Sequence, residues 1–192
     1  MPPPPFHSVY MFQFLGARDS GALSLSLSEV RLYDSDLAQV TVLNAINPGG
    51  VPGNSLEDVS KVIDGDTGTK WVDTNFTEHA FLELVLEQDA HVVQYELFTS
   101  SGQASIANQK RDPTSWRFGI LRHDGGCKED MTDVGRCFEV LSEVTNAEPP
   151  SERSTSYGRF YAILPPPPPS SPPALPPFSP PETPPASPPS PP

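Results

Sequence analysis

LSLSEVRLYDSDLAQVTVLNAI, residues 25–46, decides the fold class. Apolar and polar residues alternate through most of 25–34 and again through most of 39–46, with a polar Asp-Ser-Asp break between them. A period of two sends successive side chains to opposite faces of an extended chain, which is the signature of a half-buried strand. The pattern recurs in YMFQF (10–14), FLELVL (81–86), VVQYELFTS (92–100), SWRFGILR (115–122), CFEVLSEVT (137–145) and GRFYAIL (158–164). Each run is short, rich in Val, Leu, Phe or Tyr, and bounded by Gly, Pro, Asn or Asp. About eight such runs predict an all-β antiparallel sandwich or jelly roll. The one helical turn expected is SLEDVSKVI (55–63), where Ser55 followed by Asp58 fits an N-cap pattern.

Composition divides the chain. Of 192 residues 26 are proline, and 17 of those fall in the last 28 positions, interspersed with serine. Residues 1–8 read as a Pro-rich lead-in, 9–164 as one folding unit, and 165–192 as a low-complexity tail. Proline donates no backbone hydrogen bond, so such a tail favours the polyproline II helix and serves as a semi-rigid spacer. Proline at both ends suggests a module joined to neighbouring domains of a longer chain. The net charge of −12 argues against nucleic acid and anionic membrane, which are bound through excess Lys and Arg. It suits cations and neutral ligands such as sugars. No apolar run is long enough to predict a membrane span, and the N-terminus has no signal-peptide pattern.

Cys127 and Cys137 are the only cysteines. Their spacing fits neither a CxxC redox motif nor a zinc site. A disulfide closing the polar loop between them is the expectation, and implies an oxidising compartment; two free thiols in a reducing cell are the alternative.

VIDGDTGTKW, residues 62–71, gathers hard oxygen donors. Gly65 and Gly68 permit a tight turn with positive φ. Asp64, Asp66 and Thr69 add side-chain oxygens to the carbonyls of that turn, the kind of set that holds Ca²⁺. The spacing is not that of an EF-hand. The plainer alternative is an Asp-Gly turn whose Asp66 caps backbone N–H groups while Trp71 fills core. Trp71 and Trp116 both fall in or beside strand-like runs, where tryptophan packs inside more often than it stacks on a sugar. Asp64 and Asp66 share one turn, so they cannot flank a scissile bond as a hydrolase requires. The histidines at 7, 79, 91 and 123 lack metal-ligand spacing, and no Gly-x-Ser-x-Gly is present. The chain is therefore read as a non-enzyme.

LSEVRLYD (27–34), NPGG (47–50), VIDGDTGTKW (62–71), FLELVL (81–86), VQYELFTS (93–100), RDPTSWRFGILRHDGG (111–126) and FEVLSEV (138–144) occur in an order that resembles the discoidin, or coagulation-factor type C, group of galactose-binding-like jelly rolls. The resemblance covers about residues 10 to 163. It implies a jelly roll, a structural Ca²⁺ in the 62–71 turn, and ligand binding by loops at one end of the sandwich. Candidate ligand residues are then Asp73, Asn75, Phe76 and His79 after Trp71, and Gln103, Asn108, Gln109 and Arg111 in the 101–111 loop. These supply the amide, cationic and aromatic groups that sugar recognition uses. Asn75-Phe76-Thr77 is also an N-glycosylation sequon. Asp112 is expected in a structural salt bridge, with Arg111 as its neighbour in sequence and itself open to a ligand, and His123-Asp-Gly-Gly126 reads as a hairpin turn.

The expected function is a non-catalytic extracellular or cell-surface adhesion module that binds glycan or glycoprotein and is braced by Ca²⁺. Two other readings stay open. One is a hydroxyproline-rich wall or surface protein whose sandwich is a protein-docking domain. The other is a cytosolic protein whose tail is read by SH3 or WW-type domains.

Overall fold

The computed structural model describes residues 7–76, 80–102, 106–121 and 138–162. His79, Gln103, the turn at 123–126, Cys127, Cys137 and the Pro-rich tail lie outside the described residues.

The fold is an all-β antiparallel sandwich, with ten strands among the described residues. They are β1 (His7–Ala17), β2 (Leu25–Tyr33), β3 (Gln39–Val40), β4 (Val42–Ile46), β5 (Trp71–Asp73), β6 (Ala80–Ala90), β7 (Gln94–Thr99), β8 (Pro113–Leu121), β9 (Phe138–Val144) and β10 (Ser156–Tyr161). One sheet runs β4-β6-β1-β8-β9. The other runs β10-β7-β2-β3, with β5 also paired to β2. The predicted 39–46 strand is in fact two strands. Gln39 and Val40 pair with Tyr33 and Leu32, whereas Val42–Ile46 pairs with β6 in the opposite sheet. Thr41 is the corner where the chain changes sheet, and its carbonyl accepts the Glu87 N–H at 3.1 Å.

Alternation within β2 changes phase between Leu27 and Val30, and the structure shows why. A β-bulge against β7 sets Leu27 opposite Thr99 and Glu29 opposite Phe98. One extra residue, Ser28, is thereby accommodated, and its hydroxyl donates to the Thr99 carbonyl at 2.8 Å. Leu25, Leu27, Val30 and Leu32 consequently all reach the core, while Glu29, Arg31 and Tyr33 lie outside the core cluster.

The core is built on aromatic rings from both sheets. Phe12 of β1 lies 4.6 Å from Phe118 of β8 and 5.1 Å, edge to face, from Tyr95 of β7. Trp116 meets Phe160 edge-on at 5.1 Å. Its indole N–H donates to the Tyr95 hydroxyl at 3.0 Å, and that hydroxyl lies 3.1 Å from Ser142 Oγ. A polar chain thus crosses the core, so two large aromatics are buried with their polar atoms partnered. Trp71 and Trp116 are both fully buried, so the core reading of the two tryptophans holds.

The helical turn forms at Val59–Val62 as a 3₁₀ turn, and its cap is Asp58 rather than Ser55. Asp58 Oδ1 accepts the Ser60 N–H at 2.8 Å. A second short helical turn, Ile106–Gln109, precedes β8.

Candidate functional site

The 62–71 turn lies beside β2, at the stretch between the residues paired to β5 and those paired to β3. Gly65 takes φ +78°, which reverses the chain. Asp64 Oδ1 then accepts the Asp66 N–H at 3.0 Å, and Asp66 Oδ1 accepts the Gly68 N–H at 2.7 Å. Thr69 Oγ1 stands 2.9 and 3.1 Å from the two Asp64 carboxylate oxygens and 3.0 Å from the Asp66 carbonyl. Lys61 Nζ approaches Asp64 at 3.5 Å. These contacts place the oxygens of Asp64, Asp66 and Thr69 in one small patch.

Glu29 completes this neighbourhood, and no sequence signal marked it. It reads locally as one more polar residue of an alternating strand. In the fold it is 2% exposed, its carboxylate faces the Gly65 N–H, and its Oε2 has no hydrogen-bond partner. Burial pushes its pKa up to about 7, the charges of Asp64 and Asp66 add to the rise, and Arg31 and the Gly65 N–H oppose it. An orphaned, buried carboxylate oxygen beside two further aspartates is the chemistry of a hard-cation donor set. Among the described residues, however, no three Asp, Glu, His or Cys side chains converge closely enough to hold a metal as they stand.

A pH dependence follows from Glu29. Because its folded pKa is raised from 4.5 to about 7, its ionisation adds no penalty below pH 4.5. As pH rises from there to 7, ionising the carboxylate progressively lowers stability, by on the order of 1–3 kcal/mol in all once solvent screening is allowed for. Urea unfolding in chelator at pH 5 and pH 8 should show Glu29→Gln gaining stability relative to wild type as pH rises. Parallel curves for the two proteins would contradict this account of Glu29.

The end loops divide into structural and exposed residues. Asp73 is buried, and its Oδ1 accepts the N–H groups of Val51 (3.1 Å) and Asn75 (2.8 Å), stapling the 47–53 loop to the end of β5. Phe76 belongs to the core cluster. Neither side chain is presented to a ligand, because burial and local bonding engage both. Asn75 is exposed, with its amide donating to the Gly49 carbonyl at 2.9 Å. Asn108, Gln109 and Arg111 are half-buried. Gln109 donates to the Ser151 carbonyl at 3.3 Å, and the Arg111 carbonyl accepts the Ser26 N–H at 3.1 Å. Since Asp73 pairs with Leu25, Asn75 and Arg111 flank the same end of β2.

Asp112 does form a structural salt bridge, but with distant partners. Arg153 grips it with two bonds of 2.7 and 2.8 Å, and Arg18 adds a contact at 3.3 Å. Arg153 also donates to the Ser100 carbonyl at 2.9 Å, and Arg18 to the Pro149 carbonyl at 2.8 Å. The cluster ties the 149–155 segment to the ends of β1, β7 and β8.

No protein-family model matches this chain, and no curated protein or solved structure is significantly similar to it. The discoidin resemblance therefore rests on the order of the motifs alone.

Proposed function

We propose that this chain is a non-catalytic glycan-binding module whose 62–71 turn takes a structural Ca²⁺. The observation that carries the reading is the meeting of Glu29, with its orphaned oxygen, and the Asp64–Asp66–Thr69 turn. A small displacement of these side chains would give an ion two or three carboxylates together with the Thr69 hydroxyl and turn carbonyls. A divalent cation there would answer the buried charge and lock the turn to β2. The absence of catalysis is inferred from Asp64 and Asp66, which are tied to N–H groups of their own turn and offer no opposed acid–base pair. An extracellular setting fits the Pro/Ser composition of 165–192, the disulfide expected between Cys127 and Cys137, and the exposed Asn75 of the sequon.

Melting curves with Ca²⁺ and with chelator test the ion. Saturating Ca²⁺ at a hundred times its Kd stabilises a fold by about 2.7 kcal/mol, which for a chain of this size is roughly 5–10 °C. The shift should vanish in Glu29→Gln and in Asp64→Asn; an unchanged midpoint in the wild type would remove Ca²⁺ from the reading. Capture on an immobilised glycan panel tests the ligand class. At least one neutral glycan should be retained at submillimolar strength.

A further inference from the structure

The face of the second sheet turned away from the core carries an ordered array that the end-loop view of the ligand site leaves unused. Antiparallel register sets residues of β2, β7 and β10 directly opposite one another, and residues so paired share a face. Tyr33 pairs with Gln94 and Gln94 with Tyr161; Arg31 pairs with Glu96 and Glu96 with Arg159. Glu29, Phe98 and Ser156 form a third row. The rows are knitted by side chains. The Arg159 guanidinium lies 3.9 Å above the Tyr33 ring and that of Arg31 4.6 Å above Phe98. The Tyr33 hydroxyl donates to Glu96 at 2.7 Å, and Ser156 donates to the other Glu96 oxygen. Beside this lattice Tyr161 stands 51% exposed.

Resting on the reading above, we propose that this face is the glycan site, with Tyr161 as the stacking platform and Arg159, Glu96 and Arg31 as the hydroxyl-reading row. The occupant is argued from charge. In a chain of net charge −12, this row sets the guanidiniums of Arg31 and Arg159 on either side of the Glu96 carboxylate. A row of cation, anion, cation both donates and accepts, which matches vicinal hydroxyls and discriminates against a polyanion or polycation. A guanidinium stacked on a ring keeps its N–H edge outward in a fixed plane. The hydrogen bonds to Glu96 hold that carboxylate in one orientation, so little side-chain entropy is lost on binding. Arg159 and Tyr161 are two residues apart on one strand, about 7 Å, so one sugar can rest on the ring while its neighbour meets the row. By contrast, Asp73 and Phe76 at the other end are buried.

The test titrates the full chain with a pool of neutral gluco-, galacto- and manno-oligosaccharides. Tyr161→Ala and Arg159→Met should each weaken binding at least tenfold, while Tyr161→Phe, Asn75→Ala and Arg111→Ala stay within twofold of wild type. Loss confined to the Asn75 and Arg111 variants would overturn the site while leaving the glycan reading intact. No binding by the wild type at millimolar concentration would overturn the glycan reading itself, and this site with it.

Discussion

Asp112→Ala should unfold at a midpoint about 10 °C below wild type, reflecting a loss of roughly 3–5 kcal/mol. Asp112 is fully buried, and the Arg153 side chain it grips is 6% exposed. Removing the carboxylate leaves a guanidinium in a low-dielectric site whose other bonded partner, among the described residues, is Ser100. Burial raises the Asp112 pKa even against two arginines, so the ion pair does not fully offset its own desolvation. Exchanging both members for apolar residues, Asp112→Leu with Arg153→Met, should therefore cost less than the single change. Urea unfolding of the three proteins checks both statements. Equal losses in the single and double variants would show that packing, not the unpaired charge, sets the cost.

Trp116→Ala should be comparably damaging, at about 3–5 kcal/mol. The ring is fully buried, meets Phe160 and Tyr157 edge to face at 5.1 and 6.0 Å, and donates to Tyr95. Its removal opens a cavity in the middle of the sandwich and takes one partner from the Tyr95 hydroxyl. Trp116→Phe keeps much of the volume and should cost about 1–2 kcal/mol for the lost hydrogen bond and imperfect fit. Near-UV circular dichroism and denaturant unfolding distinguish this from a ligand-stacking role. A Trp116→Ala protein of native stability that no longer binds glycan would refute the core assignment.

These residues also mark what can be read from the chain before it folds. Alternation located most strands because a half-buried strand must place every second side chain inside. Two departures have local causes. WVD at 71–73 is too short to alternate visibly, and the 39–46 run alternates straight through the Thr41 corner, since Val40 and Val42 both pack against the core although they belong to different sheets. The partners of Asp112 were not legible. Arg153 lies 41 residues along the chain and Arg18 lies 94 residues back, and only the closed sandwich brings them together, whereas Arg111 is merely adjacent in sequence. Glu29 was hidden for the same reason, because a buried acid and an exposed one look alike within an alternating strand. Asp73 and Phe76 followed a strand into a loop, where solvent exposure was the natural expectation. The 47–53 segment instead folds back onto Asp73, and Phe76 turns into the core.

On the proposed function, the sandwich should bind sugar and leave it chemically unchanged. Saturation-transfer NMR on the full chain with neutral oligosaccharides at millimolar concentration tests both halves in one sample. The account predicts transfer from aromatic protein protons to the ring protons of at least one oligosaccharide, with its anomeric signals constant over days. Absence of transfer to every oligosaccharide, or the growth of new reducing-end signals, would contradict it.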